Sequence, residues 1–164
     1  MKISLGEVMA SKDGKIDFDY EIDLSREIVG GEAVFQDPVR LYGSVESRNE
    51  AFMLEGTVET TLTVACARCL KPVRTEQHTE VSLILTRKVA NEELDDMIVV
   101  DTDELELDDI LIPELFLDLN TVVLCRPDCK GICPRCGKDL NEGNCGCSRR
   151  EVDPRLAKLA ELLK

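Results

Sequence analysis

The sequence predicts an α+β protein that is mainly β: an antiparallel strand meander, barrel-like in its curl, then a helix, a cysteine-rich module and a terminal helix. Three observations predict this. Apolar residues alternate through roughly the first 88 positions, the period of half-buried strands, and nothing there reads as a βαβ unit. Apolar residues then recur near helical spacing between Leu105 and Leu119. Finally, six of the eight cysteines fall in LCRPDCKGICPRCGKDLNEGNCGC, residues 124–147. That segment holds too few apolar side chains to fold by burial alone.

The first strand is KIDFDYEIDL, with Ile16, Phe18, Tyr20 and Ile22 at alternate positions. Three more β-rich runs follow, VRLYGSVES, AFMLEGTVETTLTVAC and HTEVSLILTR, punctuated by Pro38 and Pro72. Gly56 lies inside the longest run, where a bulge or sharp bend is expected. The stretch Glu92–Asp109 reads as a solvated loop leading into a helix start. The helix is LELDDILIPELFLDL, with Leu107, Ile110, Leu111, Leu115 and Leu119 near helical spacing; Pro113 either starts it or splits it. The chain ends in DPRLAKLAELLK. There Asp153 suits an N-cap, Pro154 the first helical position, and Leu156, Leu159, Leu162 and Leu163 line one face. The resulting divisions are a β-rich acidic domain over 1–120, a cysteine module over 121–150 and a terminal helix over 151–164.

The formal charge is −13, unevenly spread. Residues 121–164 carry nine Lys/Arg and six Asp/Glu, a formal +3, which leaves −16 for residues 1–120. Glu92–Asp109 contains ten acids and no base. Charge of this sign argues against the main body wrapping a phosphate backbone and suits a basic protein partner. The N-terminal residues lack an apolar run long enough for a signal-peptide core, and no window approaches the roughly 18 apolar residues of a membrane span. A cytoplasmic location is expected, where thiols stay reduced and clustered cysteines bind metal more often than they form bridges.

Cys133-Pro134-Arg135-Cys136-Gly137 is the sharpest signal. Cysteines at i and i+3 of a tight turn aim both sulfurs at one ion, and the following glycine accepts the positive φ such a turn requires. Cys145 and Cys147 offer a second pair and complete a closed tetrahedral set. Cys66 and Cys69 have the same ligand spacing, although Leu70 stands where a glycine would help. With Cys125 and Cys129 they form a second set, which would clip the β-domain to the start of the cysteine module. Counting alone leaves the pairing open, because Cys129 lies as close to Cys133 as it does to Cys125. Sequential pairing is favoured because closing a short loop costs little entropy. All-thiolate sets suit zinc or iron–sulfur chemistry, and zinc is the default, with two sites expected and one as the alternative.

No catalytic arrangement accompanies the cysteines. The single histidine, His78, lies in the polar strand-like run RTEQHTEV and reads as a surface residue. There is no nucleophile–base pair or glycine-rich phosphate loop, and a catalytic zinc would keep an open position. The chain reads as a non-enzyme.

CARCLKP after a long β-rich stretch, an acidic region, LCRPDCKGICPRCGKDLN with a following C-x-C, and a terminal DPRL together resemble the YceD family, the large ribosomal RNA subunit accumulation proteins. The resemblance covers nearly the whole chain. It implies a role in maturation or accumulation of the 23S RNA of the large ribosomal subunit in bacteria and plastids. In this family the gene commonly neighbours that of a small, basic, zinc-binding large-subunit protein. Not every member keeps the C-terminal cysteines, and the C-x-R-C pair is the more widely shared element, which supports the clip.

The expected function is thus a non-catalytic ribosome-assembly factor whose acidic domain engages a large-subunit precursor or a basic ribosomal protein. Lys130, Arg135, Lys138, Arg149 and Arg150 are the cations expected to touch RNA or that partner. Eight thiolates on two zinc ions would place −2 on each site and partly cancel the basic module. The alternative is a thiol-based redox or metal-handling switch, since C-x-x-C and C-x-C pairs release metal on oxidation. A base-reading module is disfavoured by the −16 body and by the absence of aromatic residues after Phe116.

Overall fold

The computed structural model describes residues 1–49, 51–87, 97–120 and 122–147. The chain runs β1 (Lys2–Ser4), α1 (Leu5–Ala10), β2 (Lys15–Ile22), β3 (Ile28–Val29), β4 (Glu32–Ala33), β5 (Val39–Arg48), β6 (Ala51–Ala65), β7 (Pro72–Thr86), β8 (Met97–Val99), β9 (Glu104–Glu106) and α2 (Leu107–Asp118). Strands dominate, as the alternation requires. The main sheet has the order β2-β5-β6-β7-β8, antiparallel except for the parallel β7–β8 pair. Among the described residues the sheet is open rather than closed into a barrel, with β2 and β8 at its edges.

Among the described residues, one face of this sheet is covered and the other is not. Alternate residues of β6 (Phe52, Leu54, Val58, Leu62) are buried with Val39, Leu41 and Val45 of β5 and Val81 and Leu85 of β7. Leu107, Leu111 and Leu115 of α2 pack on that face with Leu5 and Val8 of α1. The helix is pinned at both ends. Tyr20 donates to Asp108 at 2.5 Å at its start, and Thr79 donates to Asp118 at 2.8 Å at its end. A closed barrel would compete for the apolar face that the helices already cover.

Two local expectations are corrected. β6 runs through Gly56 without a bulge, in continuous register with β5 and β7. Gly56 is needed for packing instead: a Cβ there would meet Leu111 Cδ2 at 3.0 Å, so the missing side chain lets α2 approach the sheet. Its partner Gly43 is tighter still, since a Cβ would meet the Glu55 carbonyl oxygen at 2.1 Å. Pro113 neither starts nor splits α2 but sits inside it. Pro113 and Asp109 are both exposed, so the helical bond that Pro113 removes lies on the exposed side of α2. Asp108 and Asp109 in the first turn further favour the helix N-terminus.

The acidic stretch is more ordered than a solvated loop where it is described. It supplies β8 and β9, and β9 pairs with β1 in register Lys2↔Glu106 to Ser4↔Glu104. The terminal helix expected over 151–164 lies outside the described residues. Among the described residues, no helix is long and apolar enough to cross a membrane.

Candidate metal centres

β6 and β7 form one hairpin of 15 pairs, from Ala51↔Thr86 to Ala65↔Pro72. At a rise of about 3.4 Å per residue it is roughly 50 Å long. Its tip is Cys66-Ala67-Arg68-Cys69, carried beyond the β5–β6 pairing, which ends at Glu59. The tip is a tight turn: Cys66 N–H donates to the Lys71 carbonyl at 2.9 Å, and Leu70 N–H to the Cys66 carbonyl at 2.9 Å. The second turn repeats this pattern. Cys133 N–H donates to the Lys138 carbonyl at 2.8 Å, and Gly137 N–H to the Cys133 carbonyl at 2.8 Å. Leu70 at φ 60° and Gly137 at φ 72° occupy equivalent left-handed positions.

The eight sulfurs fall into two sets. Within Cys66, Cys69, Cys125 and Cys129, and within Cys133, Cys136, Cys145 and Cys147, all sulfurs lie within 4.8 Å of one another, and each set could hold a metal ion. This is the sequential grouping. The distances in the first set are 3.9 Å for Cys66–Cys129 and 3.6 Å for Cys69–Cys125. A tetrahedral ion with metal–sulfur bonds of about 2.3 Å needs sulfurs about 3.8 Å apart.

Backbone amides prepare one cysteine of each set for a cation. The N–H groups of Cys125, Cys69 and Arg68 hold the Cys66 thiol down to about 6. Those of Cys136 and Arg135 do the same for Cys133, also to about 6. Burial and the neighbouring sulfurs push Cys125 up to about 12. Cys136, foremost, pushes Cys147 up to about 12. Four thiols in one place resist sharing several negative charges, and a divalent cation removes that resistance.

The first set joins two parts of the chain. Ala67 N–H donates to the Val123 carbonyl at 2.8 Å, and Ile132 N–H to the Arg68 carbonyl at 3.0 Å. Arg68 returns a bond from its guanidinium to the Cys129 carbonyl at 2.8 Å. Gly131 permits this close approach, because at φ 74° its Cβ would stand 2.7 Å from the Arg68 oxygen. Lys71 pairs with Asp139 at 2.8 Å and with Glu142 at 3.3 Å. Cys66, Cys69 and Cys129 are buried with Val73, Leu124 and Ile132 around them, a small core separate from that of the sheet.

The second set belongs to a small hairpin closed by the Ile132↔Asp139 bridge and the Leu140 N–H to Gly131 carbonyl bond at 2.9 Å. Asn141 ties this hairpin to the first set. Its Oδ1 accepts from Lys130 N–H and the Arg126 guanidinium, each at 2.8 Å, and its Nδ2 approaches Cys129 Sγ at 3.5 Å. Arg68, Lys71, Asp139 and Asn141 are the supporting residues that sequence reading missed. All four lie inside the quoted cysteine motifs, which was the available signal.

Of the expected cations, Lys130, Arg135 and Lys138 are exposed on the module. Lys138 Nζ donates to the Asn144 carbonyl at 3.2 Å. Arg149 and Arg150 lie outside the described residues. His78 is on the open sheet face between Glu59, 3.1 Å from Nδ1, and Glu80, 3.5 Å from Nε2.

The profile of the family described as large ribosomal RNA subunit accumulation protein YceD matches residues 54–163. The chain belongs to the YceD family. Among curated relatives, an uncharacterised Mycobacterium tuberculosis H37Rv protein is 36% identical over 127 residues, 73% of this chain and 59% of that protein. A Bacillus subtilis protein, YlbN, is 28% identical over 130 residues, 77% of this chain and 75% of its own. The maize chloroplastic protein named large ribosomal RNA subunit accumulation protein YCED homolog 1 is 25% identical over 147 residues, 70% of this chain and 50% of its own. The chain thus spans about three-fifths of the mycobacterial relatives. No solved structure matches. The matched YceD region begins in β6 and includes both cysteine sets.

Proposed function

We propose that this chain is a non-catalytic ribosome-biogenesis factor that supports accumulation of bacterial 23S RNA and assembly of the large subunit. It acts in the cytoplasm by binding a basic ribosomal protein or an assembly intermediate containing one. The observation that carries this reading is the membership in a family named for large-subunit RNA accumulation. The uncovered acidic face of the sheet supports a basic protein as the partner, because a nucleic acid backbone would be repelled there.

Both cysteine sets hold Zn²⁺ in this reading. The all-thiolate donor sets and near-tetrahedral sulfur spacing favour a closed structural ion with no position for a substrate. The ions give the module its fold and fix it to the hairpin tip. Lys130, Arg135, Lys138, Arg149 and Arg150 supply the module's contact with RNA or the partner.

The test is depletion of the protein followed by quantification of 23S against 16S RNA. Loss of 23S RNA, restored by the wild-type chain, is expected. An unchanged ratio with normal large-subunit particles would refute the role. Charge reversal at Arg149 and Arg150 that left association with those particles intact would remove RNA contact from the proposal.

The exposure of residues Cys125 and Cys136 favours a second reading, a thiol-based switch. Mild peroxide distinguishes the two: release of zinc with disulfide formation supports the switch, and retention of both ions supports the assembly factor.

A further inference from the structure

The open face of the main sheet is hollowed rather than flat. Two neighbouring cross-strand rows, Asp17–Ser44–Glu55–Ser82 and Asp19–Tyr42–Thr57–Glu80, run across β2, β5, β6 and β7. Small side chains at Ser44, Thr57 and Ser82 leave a trough of about 730 Å³ between the flanking carboxylates. Ser44 is 8% exposed, yet its hydroxyl has no hydrogen-bond partner among the described residues. It lines the trough and offers a polar group there.

The charges around this trough are unevenly compensated. Asp17 is paired with Lys15 at 3.1 Å, and Asp19 is held by the Arg40 guanidinium at 2.9 and 2.7 Å. Glu55 makes no hydrogen bond or ion pair among the described residues, and Arg48 attracts it only at longer range. Among the described residues Glu80 has only the edge of His78, 3.5 Å away, while His78 lies closer to Glu59. The negative charge that remains in the trough is therefore concentrated at Glu55 and Glu80, on the neighbouring strands β6 and β7. A phosphate-bearing ligand or an anionic lipid surface is excluded by its own charge.

We infer that this trough is the docking surface for a lysine- and arginine-rich segment of a partner protein, with cationic head groups at Glu55 and Glu80 and a polar group meeting Ser44. The inference rests on the reading of the partner as a basic protein and assigns that partner a place. Long cationic side chains suit the shape, because their alkyl stems can lie over small residues while the heads reach the carboxylates. The −16 carried by residues 1–120 steers such a segment toward the face.

The test is fluorescence anisotropy with the full-length, metal-loaded protein and a labelled peptide of alternating lysine and serine. The Glu55→Gln/Glu80→Gln variant is compared with Glu104→Gln/Glu106→Gln, which removes equal charge from β9. Both pairs are exposed strand residues, so the fold survives, as unchanged circular dichroism will show. Weakening of about fivefold or more in the trough variant, with little change in the β9 variant, is expected. Equal weakening in both would reduce the effect to bulk charge and overturn the site. Absence of peptide binding by the wild type, or equal displacement of the peptide by millimolar Mg²⁺ in wild type and variant, would also overturn it. Binding of purified basic large-subunit proteins is measured in parallel. If they bind wild type and trough variant alike, the trough fails while the basic-partner reading stands.

Discussion

Leu70 holds φ 60° at the position in its turn that Gly137 holds at φ 72° in the other. The surrounding hydrogen bonds are the same, so the first turn tolerates a strain that glycine removes from the second. A left-handed non-glycine residue costs roughly 1–2 kcal/mol. Leu70 is 63% exposed and loses little packing on replacement. Leu70→Gly should therefore stabilise the metal-loaded protein by about 1 kcal/mol, after the entropy cost of glycine in the unfolded chain. Gly137→Leu should destabilise it by about as much. Chemical denaturation of both variants measures this; a destabilised Leu70→Gly protein would show that the leucine side chain matters more than its backbone.

The two cysteine sets differ in what they connect, and their loss should differ accordingly. Cys66→Ser removes a ligand shared between the hairpin tip and residues 125–129, whereas Cys147→Ser removes one confined to the module. Native mass spectrometry should show two metal ions falling to one in either variant. Limited proteolysis should cut near Val122–Leu124 faster in Cys66→Ser alone. Equal protection in both variants would mean that the hydrogen bonds of Ala67, Arg68 and Ile132 hold the clip without metal.

Glycines at the sheet centre separate two kinds of close packing. At Gly56 an added Cβ meets the flexible end of Leu111, which can shift, so Gly56→Ala should cost about 1–2 kcal/mol. At Gly43 it meets backbone of the adjoining strand, so Gly43→Ala should cost more than about 3 kcal/mol or prevent folding. Thermal unfolding ranks them, and comparable midpoints would contradict the backbone argument.

Acid should weaken the N-terminal attachment through Asp103. Its carboxylate accepts from Ser4 Oγ at 3.0 Å and Gly6 N–H at 3.3 Å and pairs with Arg87, which holds its pKa below the usual value. A depressed folded-state pKa contributes stability that is complete above the unfolded value of about 3.9 and is lost as pH falls below it. Wild type should therefore lose more stability than Asp103→Asn between pH 5 and pH 2. Metal release is common to both chains, so the difference isolates Asp103. Parallel curves would show that the carboxylate is not stabilised by folding.

What sequence alone determined here follows from local rules. Alternation identified β2, β5, β6 and the end of β7, because a half-buried strand must repeat with period two whatever it packs against. The C-x-x-C spacing identified both turns, because a tight turn brings thiols at i and i+3 together. The short elements β1, β3, β4, β8, β9 and α1 escaped, since pieces of two to six residues are held by partners distant in sequence, as Lys2–Ser4 is by Glu104–Glu106.

Tertiary structure decided the rest. Alternation cannot tell an open sheet from a barrel, and only the packing of Leu107, Leu111 and Leu115 on one face shows which face stays free. A glycine in a strand is locally compatible with a bulge or a close neighbour, and the approach of Leu111 selects the second at Gly56. Which four thiols share a site depends on a convergence of residues more than 50 positions apart, from Cys69 to Cys125. Spacing specifies a turn, but the long hairpin and the Arg68–Cys129 contact place that turn against its partner.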